Sequence, residues 1–199
     1  MESGNIVETF TYDGHNYSIK TIDNHDQSAL ESYCQQCERD GVINNKSIKA
    51  LKMNRFSNEQ WWAVYDTDTN IIVSVSGCHS IYEYEQNCWR VMFRLATLKK
   101  YRSKAGALCK DQRSCFGWGR LLPHQIKFCR QQGAKKIIFT TNSKKGGDIN
   151  SIKQNRICEA IFEKLGMAKK IEETSIYNTT QNIWQVLIED VYSKKELIL

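Results

Sequence analysis

Three groups of residues in this 199-residue chain have the types and spacing that chemistry uses. The first is Gly117-Trp118-Gly119-Arg120, which opens a helical stretch. Glycines let backbone amides come close to a phosphate and a helix N-terminus carries a favourable dipole, so a pyrophosphate is a natural ligand there. A lone G-x-G equally fits a helix start that holds nothing. The second group is basic. From Lys99 to Arg113 six cations stand against one carboxylate, Asp111, so nearly all of the net charge of +6 sits in one segment. Such a cluster serves as a solvated loop, a nucleic-acid contact or a clamp for the phosphates of a small ligand, and charge alone does not choose. The third group is His79 with the strand that follows it. Alternation puts Trp89, Val91, Phe93 and Leu95 on one face of that strand and Arg90, Met92, Arg94 and Ala96 on the other. A two-residue turn sets His79 on the arginine face, and a three-residue turn reverses this. An imidazole titrates near neutrality and suits a general base, although strand histidines are more often half-buried and merely hydrogen-bonded.

These groups need a frame. Asp13-Gly14 between two β-rich runs predicts an opening hairpin. Asp26 then caps a helix over about 27–39, whose Leu30, Tyr33, Cys34 and Cys37 form one face, and Gly41 follows its end. A shorter helix is expected over 47–53. Three strands, 61–66, 71–82 and 88–98, follow as an antiparallel meander. The connection over 99–116 is long for a compact domain and reads as an inserted basic loop. A helix runs from about 118 to 132 and ends at Gly133; Pro123 is tolerated only in a first turn, so the regular part begins near Leu122. A strand over 136–141 and a linker over 143–148 lead to an amphipathic helix with Cys158, Ile161, Phe162 and Leu165 at i, i+3, i+4 and i+7, stopped by Gly166. Strands over 168–176 and 182–190 and a loose tail close the chain. The order β, α, α, β, β, β, α, β, α, β, β predicts an α/β fold: a mixed, mostly antiparallel sheet with helices on both faces, formed by one domain over 1–199.

No apolar run approaches the ~18 residues of a membrane span, and the first residues lack a basic region followed by an apolar one. The expectation is a soluble cytoplasmic protein. The eight cysteines are scattered through apolar faces. Cys34-x-x-Cys37 lacks a second pair at zinc spacing, so core packing is expected there and no metal site.

The stretch Asn155-Arg-Ile-Cys158-Glu-Ala-Ile161-Phe162-Glu163-Lys164-Leu165-Gly166-Met167 resembles the N-x-x-A-x-x-[LFI]-Y-E-K-L-G-F segment of the GNAT superfamily of N-acetyltransferases. Cys158 replaces the usual Ala and Phe162 the usual Tyr. Leu95-Ala-Thr-Leu-Lys-Lys-Tyr101-Arg102-Ser103 resembles the approach to the family's R/Q-x-x-G-x-G/A signature. One alignment puts that turn at Arg102 to Ala107 and another at Ser114 to Gly119. The 14 positions from Gly119 to Gly133 are typical of the family's helix and favour the second. The element order also looks like the GNAT order.

The resemblance implies direct transfer of an acyl group from acyl-CoA, with acetyl-CoA as co-substrate, to a primary amine. In the implied site Arg102, Gly117, Trp118, Gly119 and Arg120 meet the cofactor phosphates, and Arg94, Leu95 or Ala96 contacts the thioester carbonyl. Asn155 bonds the pantetheine arm. Phe162 takes the place of the tyrosine that protonates the leaving thiolate in many relatives, and a phenyl ring has no proton to give, so that task falls to another group or to water. His79 is the candidate base. Two rival readings stand beside this one: a nucleic-acid-directed member with Trp61, Trp62 and Trp118 as stacking groups, and a module that binds CoA without catalysis.

Overall fold

A computed structural model describes residues 4–23, 26–40, 58–80, 88–92, 97–101, 116–142, 169–176 and 179–193. The helices expected over 47–53 and 155–165 and the linker over 143–148 lie outside the described residues. Strands β1 (Ile6–Tyr12) and β2 (His15–Ile22) form the opening hairpin. Asp13 and Gly14 both adopt positive φ, 50° and 76°, the two-residue turn that suits twisted strands and that Asp-Gly favours. Helix α1 spans Gln27–Arg39 and buries Leu30, Tyr33, Cys34 and Cys37, as the periodicity predicts. Asp26 differs from expectation: its side chain makes no cap bond to the helix. The carboxylate instead turns back to accept the amide of Asp23 at 3.1 Å.

The contacts of the chain gather into two compact units, Met1–Ser80 with Met92–Gln125, and Ile81–Val91 with Ile126–Leu199. In the first, β1, β2, β3 (Gln60–Asp66) and β4 (Ile71–Ser80) pair in sequence order, all antiparallel. Residues 61 to 66 of β3 are all buried, so this strand is covered on both faces. Trp61, Ala63 and Tyr65 join Ile72, Val75 and the inner face of α1 in one apolar cluster. Each such side chain stabilises by roughly 1.5–3 kcal/mol on burial. The intervening Trp62 and Val64, buried as well, point to the opposite face. There a π-helical turn, Phe116–Leu121, leads into α2 (Leu122–Gln131), with Pro123 in its first turn.

In the second unit β5 (Cys88–Met92) runs parallel to β6 (Lys136–Asn142), as a βαβ crossover requires. β8 (Thr179–Leu187) pairs antiparallel with both β6 and β7 (Lys169–Ile176). Phe139 stacks on Trp184 at 6.3 Å, and Trp89 meets Phe128 edge-on at 5.7 Å. The last strand lies three residues earlier than expected, beginning at Thr179. It stops at Leu187 and the chain turns into α3 (Ile188–Ser193), where the tail and the strand's final residues were expected. Ile188 is buried and its amide donates to the carbonyl of Lys135, while Glu189 and Asp190 favour the first turn of a helix through its dipole. Among the described residues no helix is long and apolar enough to cross a membrane.

Candidate functional site

The glycine-containing turn is held from both sides. Phe116, at its start, is buried among Tyr17, Phe10 and Tyr12, with ring centres at 4.8, 5.7 and 5.8 Å. One turn into α2, the fully buried Gln125 donates its amide to the Ser76 hydroxyl and, at 3.0 Å, to the Gly77 carbonyl, which ties the helix to β4. Between these anchors lie Gly117, Trp118 and Gly119. By the general rule for helix starts, the first amides of such a segment have no acceptor within it. Arg120 is engaged elsewhere. Its Nη1 donates to Glu8 Oε1 at 2.8 Å, and its guanidinium lies 4.3 Å from the centre of the Phe10 ring. His124, four residues on and on the same helix face, meets the other Glu8 oxygen at 2.9 Å.

The chain that approaches the turn is fixed just as firmly. Thr97 bridges Ser74 in antiparallel fashion, and the amide of Leu98 donates to the Val73 carbonyl at 3.0 Å. Tyr101, in the short 3-10 turn Lys99–Tyr101, donates its hydroxyl to Asp66 Oδ2 at 2.8 Å. Asp66 Oδ1 accepts the amides of Asp68 and Thr69 at 3.0 and 3.2 Å. Burial pushes the Asp66 carboxyl up, but these hydrogen bonds outweigh it and hold the group below its ordinary value. Burial and the Asp66 bond raise the Tyr101 hydroxyl. Burial, with the charge of Asp66 second, lifts Tyr17 to about 12. Tyr17 touches both Tyr101, at 6.4 Å, and Phe116, at 4.8 Å, so the stretch Leu98–Tyr101 and the glycine turn share one aromatic support.

His79 lies on β4 two residues beyond Gly77, whose carbonyl accepts from Gln125, and five beyond Ser74. It is buried, and its Nδ1–H donates to the Ser80 carbonyl at 2.9 Å. Arg94, Leu95, Ala96, Arg102, Asn155 and Phe162 lie outside the described residues, as does the side chain of Trp118. Trp61 and Trp62, weighed as stacking groups for a nucleic acid, are both core residues, 3% and 4% exposed.

No protein-family model and no curated protein matches the sequence. Solved structures do match. A ribosomal-protein-S5-alanine acetyltransferase from Vibrio fischeri aligns over 92% of this chain and 98% of its own, with a TM-score of 0.60 at 13% identity. An aminoglycoside 6'-N-acetyltransferase complexed with coenzyme A aligns over 85% and 96%, with a TM-score of 0.56 at 13% identity. An acetyltransferase of the GNAT family from Bacillus anthracis aligns over 87% and 95%, with a TM-score of 0.51 at 14% identity. The chain has the GNAT fold. Its mixed, mostly antiparallel strands and its helices are those of that fold.

Within this GNAT fold several groups at the site carry no local sequence signal. Glu8 is 112 positions from Arg120, and Gln125 is 49 from Ser76. Asp66 reads as an ordinary turn residue until Tyr101 is placed beside it. A cavity of about 300 Å³ also opens between α1 and the first residues of β4, and it reaches Leu98.

Proposed function

We propose that this GNAT-fold chain is an N-acyltransferase, a single GNAT-like domain that moves an acyl group from acyl-CoA, acetyl-CoA first among them, to a primary amine. The observation that carries the reading is the turn Phe116–Leu121, anchored by Gln125 and opening α2 beside the Leu98–Tyr101 stretch. The fit to a CoA pyrophosphate lies in the backbone amides of Gly117, Trp118 and Gly119, since the Arg120 side chain is committed to Glu8. When bound, the thioester supplies an activated acyl carbon, whose C–S bond is exchanged for a C–N bond as the amine gives up a proton and the thiolate takes one. A backbone amide near Leu95 would polarise the carbonyl, and Asn155 would hold the pantetheine arm. Phe162 would contribute an apolar wall with no proton to donate, which leaves the thiolate's proton to water. His79, two residues along β4 from the Gly77 carbonyl that anchors α2, would be the candidate general base, directly or through one water.

Calorimetric titration with acetyl-CoA tests this reading. Gly119→Val places a branched side chain where the pyrophosphate approaches, and it is expected to weaken binding more than tenfold while the unfolding midpoint stays near that of the wild type. Equal affinity in a folded variant removes the turn from the site. Release of free thiol in the presence of an amine then separates a transferase from a module that only binds CoA.

A further inference from the structure

The cavity between α1 and β4 has a definite chemical character. Its volume of about 300 Å³ is at the small end of the ~300–1,000 Å³ of ligand pockets. Tyr33, Ile72 and Leu98, all buried, form an apolar floor. Gln36 and Arg39, three residues apart on one face of α1, stand at its rim with Asn70 across from them. Among the described residues of the lining, Arg39 is the only charged one. It is exposed and makes no ion pair among the described residues. The carboxylate next to it in sequence, Asp40, accepts instead from Gln36 Nε2 at 2.9 Å. An unpaired guanidinium above an apolar floor matches a carboxylate on a small apolar body, because its planar fork can give two parallel N–H···O bonds while the body leaves water. The same charge repels an acceptor that is only cationic.

We propose that this pocket binds a carboxylate carried by the acceptor, so that the amine acylated here belongs to a molecule such as an α-amino acid or a peptide end. Its role as an acceptor pocket rests on the acyl-transfer reading above: Leu98, on the floor, follows closely on residues 94 to 96, the stretch assigned to the thioester. Among the described residues of this lining none is acidic, so none offers a partner to a polycationic amine.

Amide NMR spectra of the full chain, titrated with phenylacetate and separately with phenethylamine, test the pocket without any acyl donor. Phenylacetate is expected to shift the amides of Tyr33, Arg39, Ile72 and Leu98 saturably, Arg39→Gln to weaken that binding at least fivefold, and Arg39→Lys to restore part of it. Phenethylamine is expected to leave these amides unmoved. Absence of saturable shifts at these positions, or equal binding by Arg39→Gln, overturns the pocket. With acetyl-CoA added, wild type is expected to prefer phenylalanine over phenethylamine at least tenfold in kcat/KM, and Arg39→Gln to lose most of that ratio. Transfer to both amines alike, with no change in Arg39→Gln, overturns the carboxylate inference and leaves acyl transfer standing. Arg39-dependent phenylacetate binding without transfer to any amine overturns the acyl-transfer reading and with it the acceptor role.

Discussion

Gly77 stands opposite Trp61 across the β3–β4 ladder, and the sheet tolerates no side chain there. A Cβ on Gly77 would lie 2.6 Å from both Cδ2 and Cε3 of the indole. Carbon atoms settle at about 3.5–4.0 Å, so the ring would have to retreat by about 1 Å. It has nowhere to go: Trp61 is buried against α1, and its Nε1–H donates to Glu59 Oε1 at 3.3 Å. Overpacking of this kind costs about 1–3 kcal/mol, and two contacts with a rigid ring place Gly77→Ala in the upper part of that range, about 2–3 kcal/mol. For a chain of this length each kcal/mol moves the unfolding midpoint by about 2–4 °C, which gives a drop of about 4–12 °C. Thermal and urea unfolding read this directly. A second variant isolates the cause. In a Trp61→Leu background, where the ring is gone, Gly77→Ala should cost at least about 1 kcal/mol less than in the wild type. A stability within about 0.5 kcal/mol of wild type, or the same cost in both backgrounds, would refute the packing argument.

The Asp66 carboxylate accepts three hydrogen bonds in the folded chain, so Asp66→Asn is expected to cost about 1–3 kcal/mol at pH 7 in urea unfolding. Because its folded value is held below the ordinary 3.8, the charged form stabilises the fold above that pH, and the contribution is lost as pH falls through the folded value. A wild-type stability that declines no more steeply than that of Asp66→Asn below about pH 4 would contradict this account. Glu8→Gln removes the charge that holds Arg120 and His124. On a partly exposed network this should change stability by less than about 1 kcal/mol. Releasing Arg120 is expected to tighten acetyl-CoA binding by about two- to fivefold; weaker binding in calorimetry would instead make Glu8 a residue that positions Arg120 for the ligand.

What the sequence discloses follows the range of each interaction. Helix α1 is legible because Leu30, Tyr33, Cys34 and Cys37 repeat at helical spacing, and the first hairpin because Asp13-Gly14 suits positive φ at both positions. Pro123 likewise dates the start of regular helix to Leu122, since its ring excludes any deeper place. The end of β8 is not legible in this way. Ile188 continues an apolar, strand-like pattern, and the bond of its amide to Lys135, on a distant segment, has no local signal. The same limit governs the site. The glycines are visible in the sequence, but the engagement of Arg120 by Glu8 and the support of α2 by Gln125 arise from residues brought together by the sheet. His79 is visible as a residue type apt for catalysis, but its burial and its Nδ1 bond to the Ser80 carbonyl come only with the fold.

Tyr101 and Phe116 rest on the same Tyr17 ring, with centres no more than 6.4 Å from it. Both residues that flank positions 102 to 115 are therefore held by a contact to one ring of β2. The Tyr17 ring, on a strand at the start of the chain, thus sets where the glycine turn begins.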